Sequence, residues 1–125
     1  MILVDASIWV DHFWRGVRTL SDLLESGRVL GHPFVLGELA LGNLPQRDFI
    51  LGRLRRLPQA EVATDGEAIA LVDRYDLAGR GVGFVDLHLV AATLLTPDAT
   101  LWTRDRRLSE VVGQLGLAPL NLPGF

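Results

Sequence analysis

Four acidic residues stand where a carboxylate is not simply solvated. Asp5 closes the apolar run Met1-Ile2-Leu3-Val4, which reads as a strand buried on both faces. In an open α/β sheet, ligands bind beyond the carboxyl ends of such strands. Asp105 repeats the arrangement after Thr100-Leu101-Trp102-Thr103. Glu38 and Asp86 lie on helical stretches instead. Glu38 has Phe34, Val35 and Leu41 at i−4, i−3 and i+3, and Asp86 has Leu89 and Val90 at i+3 and i+4, so both carboxylates are expected to rise from faces packed into the core. Each acid also has a plainer explanation. Asp5 or Ser7 could cap a helix starting at Ile8, Glu38 could pair with one arginine, and Asp86 could answer the dipole of a first helical turn. If the four converge, their repulsion must be relieved by protonation or by cations. Mg²⁺ and Mn²⁺, which prefer carboxylate oxygen, suit a set of four acids without thiolates.

The elements that must position these residues alternate along the chain. Strands are expected at Met1 to Val4, at Arg28-Val29-Leu30, at Glu61-Val62-Ala63, at Thr100 to Thr103 and at Leu117-Ala118-Pro119-Leu120, the last an edge because of its proline. Between them run helices. The first carries Ile8, Trp9, Phe13 and Trp14 on its apolar face, with Asp11 expected to be solvated, and stops at Gly16. Thr19-Leu20-Ser21-Asp22 has the spacing of a capping box, as does Thr64-Asp65-Gly66-Glu67. Pro33 opens a helix through Leu41, Gln46 to Leu57 forms another, and Phe84 to Leu95 is apolar nearly all round and therefore deeply buried. Gly79-Arg80-Gly81-Val82-Gly83 follows a helix rather than a strand and lacks the lysine of a phosphate loop, so it reads as a flexible connection. The implied fold is one α/β domain over residues 1–125, an open, five-stranded, mostly parallel sheet with helices on both faces.

Composition narrows the function classes. With 125 residues and 49% hydrophobic content, the chain fits a single core and has apolar surface to spare for a partner. Cysteine is absent, which excludes a disulfide framework and thiolate metal sites and fits a reducing cytoplasm. His12, His32 and His88 match no metal-ligand spacing. No apolar run approaches the ~20 residues of a membrane span, and the N-terminus has no basic leader region. The net charge of −3 argues against binding nucleic acid through bulk positive charge. All 12 basic residues are arginine, the side chain that grips phosphate bidentately, although genome base composition produces the same bias.

Four motifs carry a family resemblance: Leu-Val-Asp-Ala-Ser at the start, Val-Leu-Gly-Glu-Leu around Glu38, Val-Asp-Leu-His-Leu-Val-Ala-Ala around Asp86 and Leu-Trp-Thr-Arg-Asp-Arg-Arg-Leu around Asp105. In this order and over essentially the whole chain, they resemble the PIN-domain ribonucleases, most closely the VapC-type toxins of bacterial toxin–antitoxin pairs. The resemblance implies a five-stranded parallel sheet and hydrolysis of RNA at internal phosphodiesters. It also implies that Asp5, Glu38, Asp86 and Asp105 hold Mg²⁺ or Mn²⁺, which activates the attacking water. Ser7 and Thr103 fall where the family often has hydroxyls that orient the acids or that water. Arg104, Arg106 and Arg107 become candidates for holding RNA phosphates. The partners implied are RNA, a small antitoxin and a second copy of the chain.

Two other α/β readings fail on the residues. A receiver domain needs a lysine, and an aspartate-nucleophile phosphatase needs an Asp where Ser7 stands. A catalytically silent PIN-like module that binds RNA or protein is the alternative.

Overall fold

A computed structural model describes residues 1–120 and 122. The first strand, β1 (Ile2–Val4), is the axis of the molecule. Leu3 and Val4 are fully buried, and parallel neighbours pair on both sides of the strand: β2 (Val29–Leu30) and β3 (Thr100–Trp102). The sheet order is β2-β1-β3. With no polar residue along it, a strand of this kind is stable only where helices cover both faces.

The five strands expected reduce to three among the described residues. Beyond β2, the chain makes a single parallel bridge between Gly31 and Gln59, through Gly31 N–H to Pro58 O (2.8 Å) and Ala60 N–H to Gly31 O (2.9 Å). It then leaves the sheet. The Glu61 N–H turns to the Thr96 hydroxyl (2.9 Å) and Val62 faces solvent, so Glu61-Val62-Ala63 forms no ladder. Beyond β3, one bond joins Leu101 N–H to Leu117 O (2.9 Å), and Pro119 has no N–H with which to extend the pairing. The chain flanks the sheet on both sides, through Pro58 and Ala60 with two hydrogen bonds and through Leu117 with one.

Helices α1 (Ala6–Arg15), α2 (Arg18–Glu25), α3 (Pro33–Leu41) and α4 (Arg47–Arg55) occupy the chain as it steps outward from β1 through β2 to Gln59. Helices α5 (Asp65–Arg74), α6 (Phe84–Leu95) and α7 (Arg106–Gln114) belong to the return through β3. Right-handed crossovers in opposite directions assign the two sets to opposite faces, and α3 packs on α1 and α4 while α5 packs on α6. The direction reverses between β1 and β3. A crevice therefore opens at the carboxyl ends of these two strands, where Asp5 and Thr103 lie.

Local signals explain most helix ends. Thr64 and Glu67 form the reciprocal capping box, with Glu67 N–H to Thr64 Oγ1 at 3.1 Å and Thr64 N–H to Glu67 Oε1 at 2.9 Å. The box expected at Thr19 does not form. Helix α2 starts at Arg18, because His12 Nδ1 accepts from Val17 N–H (3.1 Å) and pins the turn one residue earlier, which leaves Thr19 inside the first turn. Helix α1 starts at Ala6, two residues before the expected Ile8. Residues 87–93 of α6 are all buried, as a helix apolar all round requires.

His32 caps α3 with an imidazole. Its Nδ1 accepts from Phe34 N–H (3.0 Å), while the ring is buried at 2% exposure. Burial, and then the neighbouring His88, lower its pKa from 6.5 to about 4. Between these values the unfolded chain binds a proton that the folded chain does not. Stability therefore rises with pH across this window and is lost as pH falls from 6.5 toward about 4. The loss is expected to be roughly 2–4 kcal/mol. His32→Asn keeps a capping acceptor but does not titrate. In urea unfolding from pH 7 to pH 4, the stability advantage of wild type over His32→Asn should shrink across the window, and an advantage that stays constant would exclude this origin.

Candidate functional site

Asp5 follows β1 directly and is both the N-cap of α1 and a buried carboxylate, at 6% exposure. Three donors satisfy it. Oδ1 accepts from Ala6 N–H (2.7 Å), and Oδ2 accepts from the hydroxyls of Ser7 (2.9 Å) and Thr103 (2.7 Å). Capping and siting at the crevice are thus one arrangement and not alternatives. The Thr103 contact depends on register: Val4 pairs with Trp102, and Asp5 N–H bonds Trp102 O (3.0 Å), so the residues that follow each strand meet.

The two hydroxyls also accept, which fixes their direction. Ser7 Oγ receives Arg104 N–H (3.1 Å), and Thr103 Oγ1 receives Asp105 N–H (3.0 Å). Asp105 in turn caps α7, with Oδ1 accepting from Leu108 N–H (2.9 Å), and is otherwise exposed. A single network therefore ties the ends of β1 and β3 to the starts of α1 and α7.

Glu38 and Asp86 approach from the helices. Asp86, half-buried in the first turn of α6, has its pKa raised by burial and by Asp5 and Asp105, against a lowering hydrogen bond from the Gly83 backbone. Glu38 is raised as well, by desolvation first and then by Asp5 and Asp86. The expectation that Glu38 projects from a packed face is corrected here. Its side chain is exposed, because α3 turns Val35 and Leu39 into the core and leaves Glu38 off that face, with Gly37 and Gly42 exposed beside it and Leu41 at 91% exposure.

The four acids thus face one crevice closely enough to disturb one another, and none forms an ion pair with an arginine among the described residues. They do not form a closed cage: among the described residues, no three His, Asp or Glu side chains are grouped to hold an ion as they stand. The donor set is entirely hard oxygen, with negative charge left uncompensated, which is the chemistry a divalent ion such as Mg²⁺ or Mn²⁺ requires.

The arginines after Thr103 divide into three cases. Arg104 is drawn to Asp11, which also pairs with Arg15 (2.6 Å). Asp11 is therefore an ion-pair acceptor and not merely solvated, with its pKa lowered first by the Arg15 hydrogen bond. Arg106 lies 3.7 Å from Glu110. Arg107 packs on Gly81, whose φ of +79° and missing side chain make room for it, since a Cβ there would come within 2.5 Å of Arg107 Cδ. The glycine segment before α6 is thus a seat for Arg107. The i,i+4 spacing of Asp11 and Arg15 was a readable signal, whereas the pairing of Asp11 with Arg104 spans the sheet and had none.

The histidines are structural. His12 and His32 accept backbone N–H groups, and His88 Nε2 lies 2.9 Å from Asp65 Oδ1 with its ring at 1% exposure. None lines the acid crevice.

No protein-family model matches the chain. Ribonuclease VapC32 of Mycobacterium tuberculosis, from strains CDC 1551 / Oshkosh and ATCC 25618 / H37Rv alike, is 43% identical to it over 118 residues, 94% of this chain and 95% of the relative. At 43% identity over nearly the full length of both chains, the chain belongs to the VapC-type PIN-domain ribonucleases.

Proposed function

We propose that the protein is a metal-dependent endoribonuclease toxin, a single PIN domain over residues 1–125 that hydrolyses internal RNA phosphodiesters. The observation that carries this reading is four uncompensated carboxylates at the switch point of a VapC-family sheet. Asp5, Glu38 and Asp86 would hold Mg²⁺ or Mn²⁺, directly or through water, and Asp105 would complete a second position. When bound, such an ion supplies positive charge that activates water and offsets the charge developing on the scissile phosphate.

The residues of the chain do the rest. Ser7 and Thr103 hold Asp5 in one orientation, so that its carboxylate is presented without a search over rotamers. Arg107, seated on Gly81, would take an RNA phosphate next to the one cut, with Arg106 as a second contact. Arg104 serves this less readily because Asp11 already holds it. No pair of histidines is free for cleavage through the ribose 2′-hydroxyl, since all three rings are committed to structural bonds. The silent-module alternative would be favoured by a broken acid set, and this set is intact. An RNA substrate fits a cytoplasmic location, and no helix among the described residues is long and apolar enough to cross a membrane.

Purified protein is expected to cut structured RNA with Mg²⁺ or Mn²⁺, to stop in EDTA and to leave 5′-phosphate ends. Cleavage that survives chelation, or 2′,3′-cyclic ends on sequencing, would overturn the mechanism.

Glu38→Gln keeps the side-chain shape and removes one charge. Glu38 has no arginine partner to strand, so the metal-free variant should melt no lower than wild type, whereas breaking a buried pair would cost about 3–5 kcal/mol. Added Mn²⁺ should raise the melting temperature of wild type and raise that of the variant much less, with activity lost in parallel. A variant that melts well below wild type, yet keeps the full metal-induced rise, makes Glu38 structural.

A homodimer that binds a small antitoxin follows from the exposed apolar side chains Phe49, Ile69, Leu94 and Leu95 and from the family. An arginine from the antitoxin would suit the acid crevice. Light scattering at micromolar concentration should give twice the chain mass, and a lone monomer that retains no partner on co-purification would refute it.

A further inference from the structure

We propose that the hollow beside Glu38 binds an unstacked nucleobase of the RNA, with Trp14 as its stacking platform. This rests on the ribonuclease reading above and adds a specificity-determining subsite to it. The hollow, of about 420 Å³, lies between α1, α3 and the segment after α3, and Ser7 and Glu38 form the wall it shares with the acid crevice. Trp14, Val10, Leu44 and Asn43 form much of the remainder.

Three features select the occupant. Trp14 is 59% exposed, whereas Trp9 and Trp102 are each 3% exposed, so one indole has been left in water where an aromatic ring is costly to expose. Ser7, Val10 and Trp14 follow one another at i, i+3 and i+7 on one helical face, so the face that begins beside Asp5 reaches the indole about 10 Å further on. That distance suits a base next to the scissile phosphate, or one nucleotide beyond it. No arginine lines the wall to grip a phosphate, and its largely apolar lining suits a neutral ring. Arg106 lies at the start of α7 and Arg107 over Gly81, where the backbone would run. Asn43 supplies the one side-chain amide on the wall, a donor and an acceptor for the hydrogen-bonding edge of the base.

Because Trp14 is the one exposed tryptophan, it can be followed by fluorescence. In Asp86→Asn protein, used to prevent cleavage, hexaribonucleotides of each base should shield Trp14 from acrylamide, and at least one base should do so better than the others. A hexamer of abasic ribose phosphates should not. In cleavage assays with active protein, Trp14→Ala is expected to raise KM about 10-fold with a smaller change in kcat, and to flatten the base preference on one side of the cut. Trp14→Phe should restore most of both, and Asn43→Ala should change preference more than KM. Equal shielding by the abasic hexamer overturns the subsite, as does Trp14→Ala cutting RNA with wild-type KM and preference. If that variant cuts normally but escapes a co-expressed antitoxin, the hollow belongs to the protein partner and the subsite is likewise refuted. The two readings fail separately. Wild type that shields Trp14 with RNA but never cuts sinks the nuclease and keeps the subsite, while wild-type cleavage indifferent to Trp14 does the reverse.

Discussion

The parallel pairing of β1 with β3 is the constraint on which the rest of the structure depends. Its register, Ile2 with Thr100 through Val4 with Trp102, sets Asp5 beside Thr103, and the hydrogen bond between them is 2.7 Å. Burying a carboxylate without a counter-charge costs several kcal/mol unless its lone pairs are filled. Here one backbone N–H and two hydroxyls fill them, so Asp5 stays at 6% exposure with no arginine near it. A slip of one residue would turn Leu3 and Leu101 to the opposite faces and part Asp5 from Thr103 at once. The same contacts that close the core therefore fix the site.

Charge is divided within the crevice according to how rigidly each acid is held. Asp5 and Asp105 stand at strand ends, both committed to helix caps. Glu38 and Asp86 ride on helices, Asp86 with only the Gly83 backbone N–H at the start of α6 to accept, and are the two whose pKa values are raised by their neighbours. The rigid pair thus keeps its geometry while the other two carry the strain of repulsion. Arginine could have relieved it. Arg104 follows Thr103 immediately, but Asp11, already paired with Arg15, draws its guanidinium away to α1. The acid cluster remains uncompensated because a fifth acid removes the nearest cation.

Much of this was legible because it is local. A run of apolar residues ended by Asp5, the capping box at Thr64, the proline at the start of α3 and the all-round apolar α6 are signals carried within a few residues, and each element formed where its signal lay. Strand number was not legible, since a strand exists only with its ladder. Glu61-Val62-Ala63 has strand-like composition, but the Glu61 N–H bonds to Thr96 on α6's C-cap instead of to a neighbouring strand. The exposure of Glu38 was misjudged for a related reason. A helical wheel reports which residues share a face but not which face meets the core, and α3 buries Val35 and Leu39 while Leu41 stands in solvent. The partners of Ser7 and Thr103, and the hollow at Trp14, arise where segments distant in sequence meet. Composition and spacing hold no record of them.

A net charge of −3 seemed at first to weigh against a nucleic-acid enzyme. The distribution answers that objection better than the sum does. Acids are gathered at the switch point, where a divalent cation would reverse their sign, so the site's affinity for a polyanion is conditional on the ion and not built into the chain. At the start of α7, Arg106 is only loosely held by Glu110, and Arg107 is propped on Gly81 with no carboxylate partner among the described residues. Long-range attraction of RNA is correspondingly weak, and recognition falls to short-range contacts at the crevice. That favours a surface with shaped, uncharged features next to the acids over a broad basic face, and the exposed indole of Trp14 on a wall shared with Glu38 and Ser7 is such a feature.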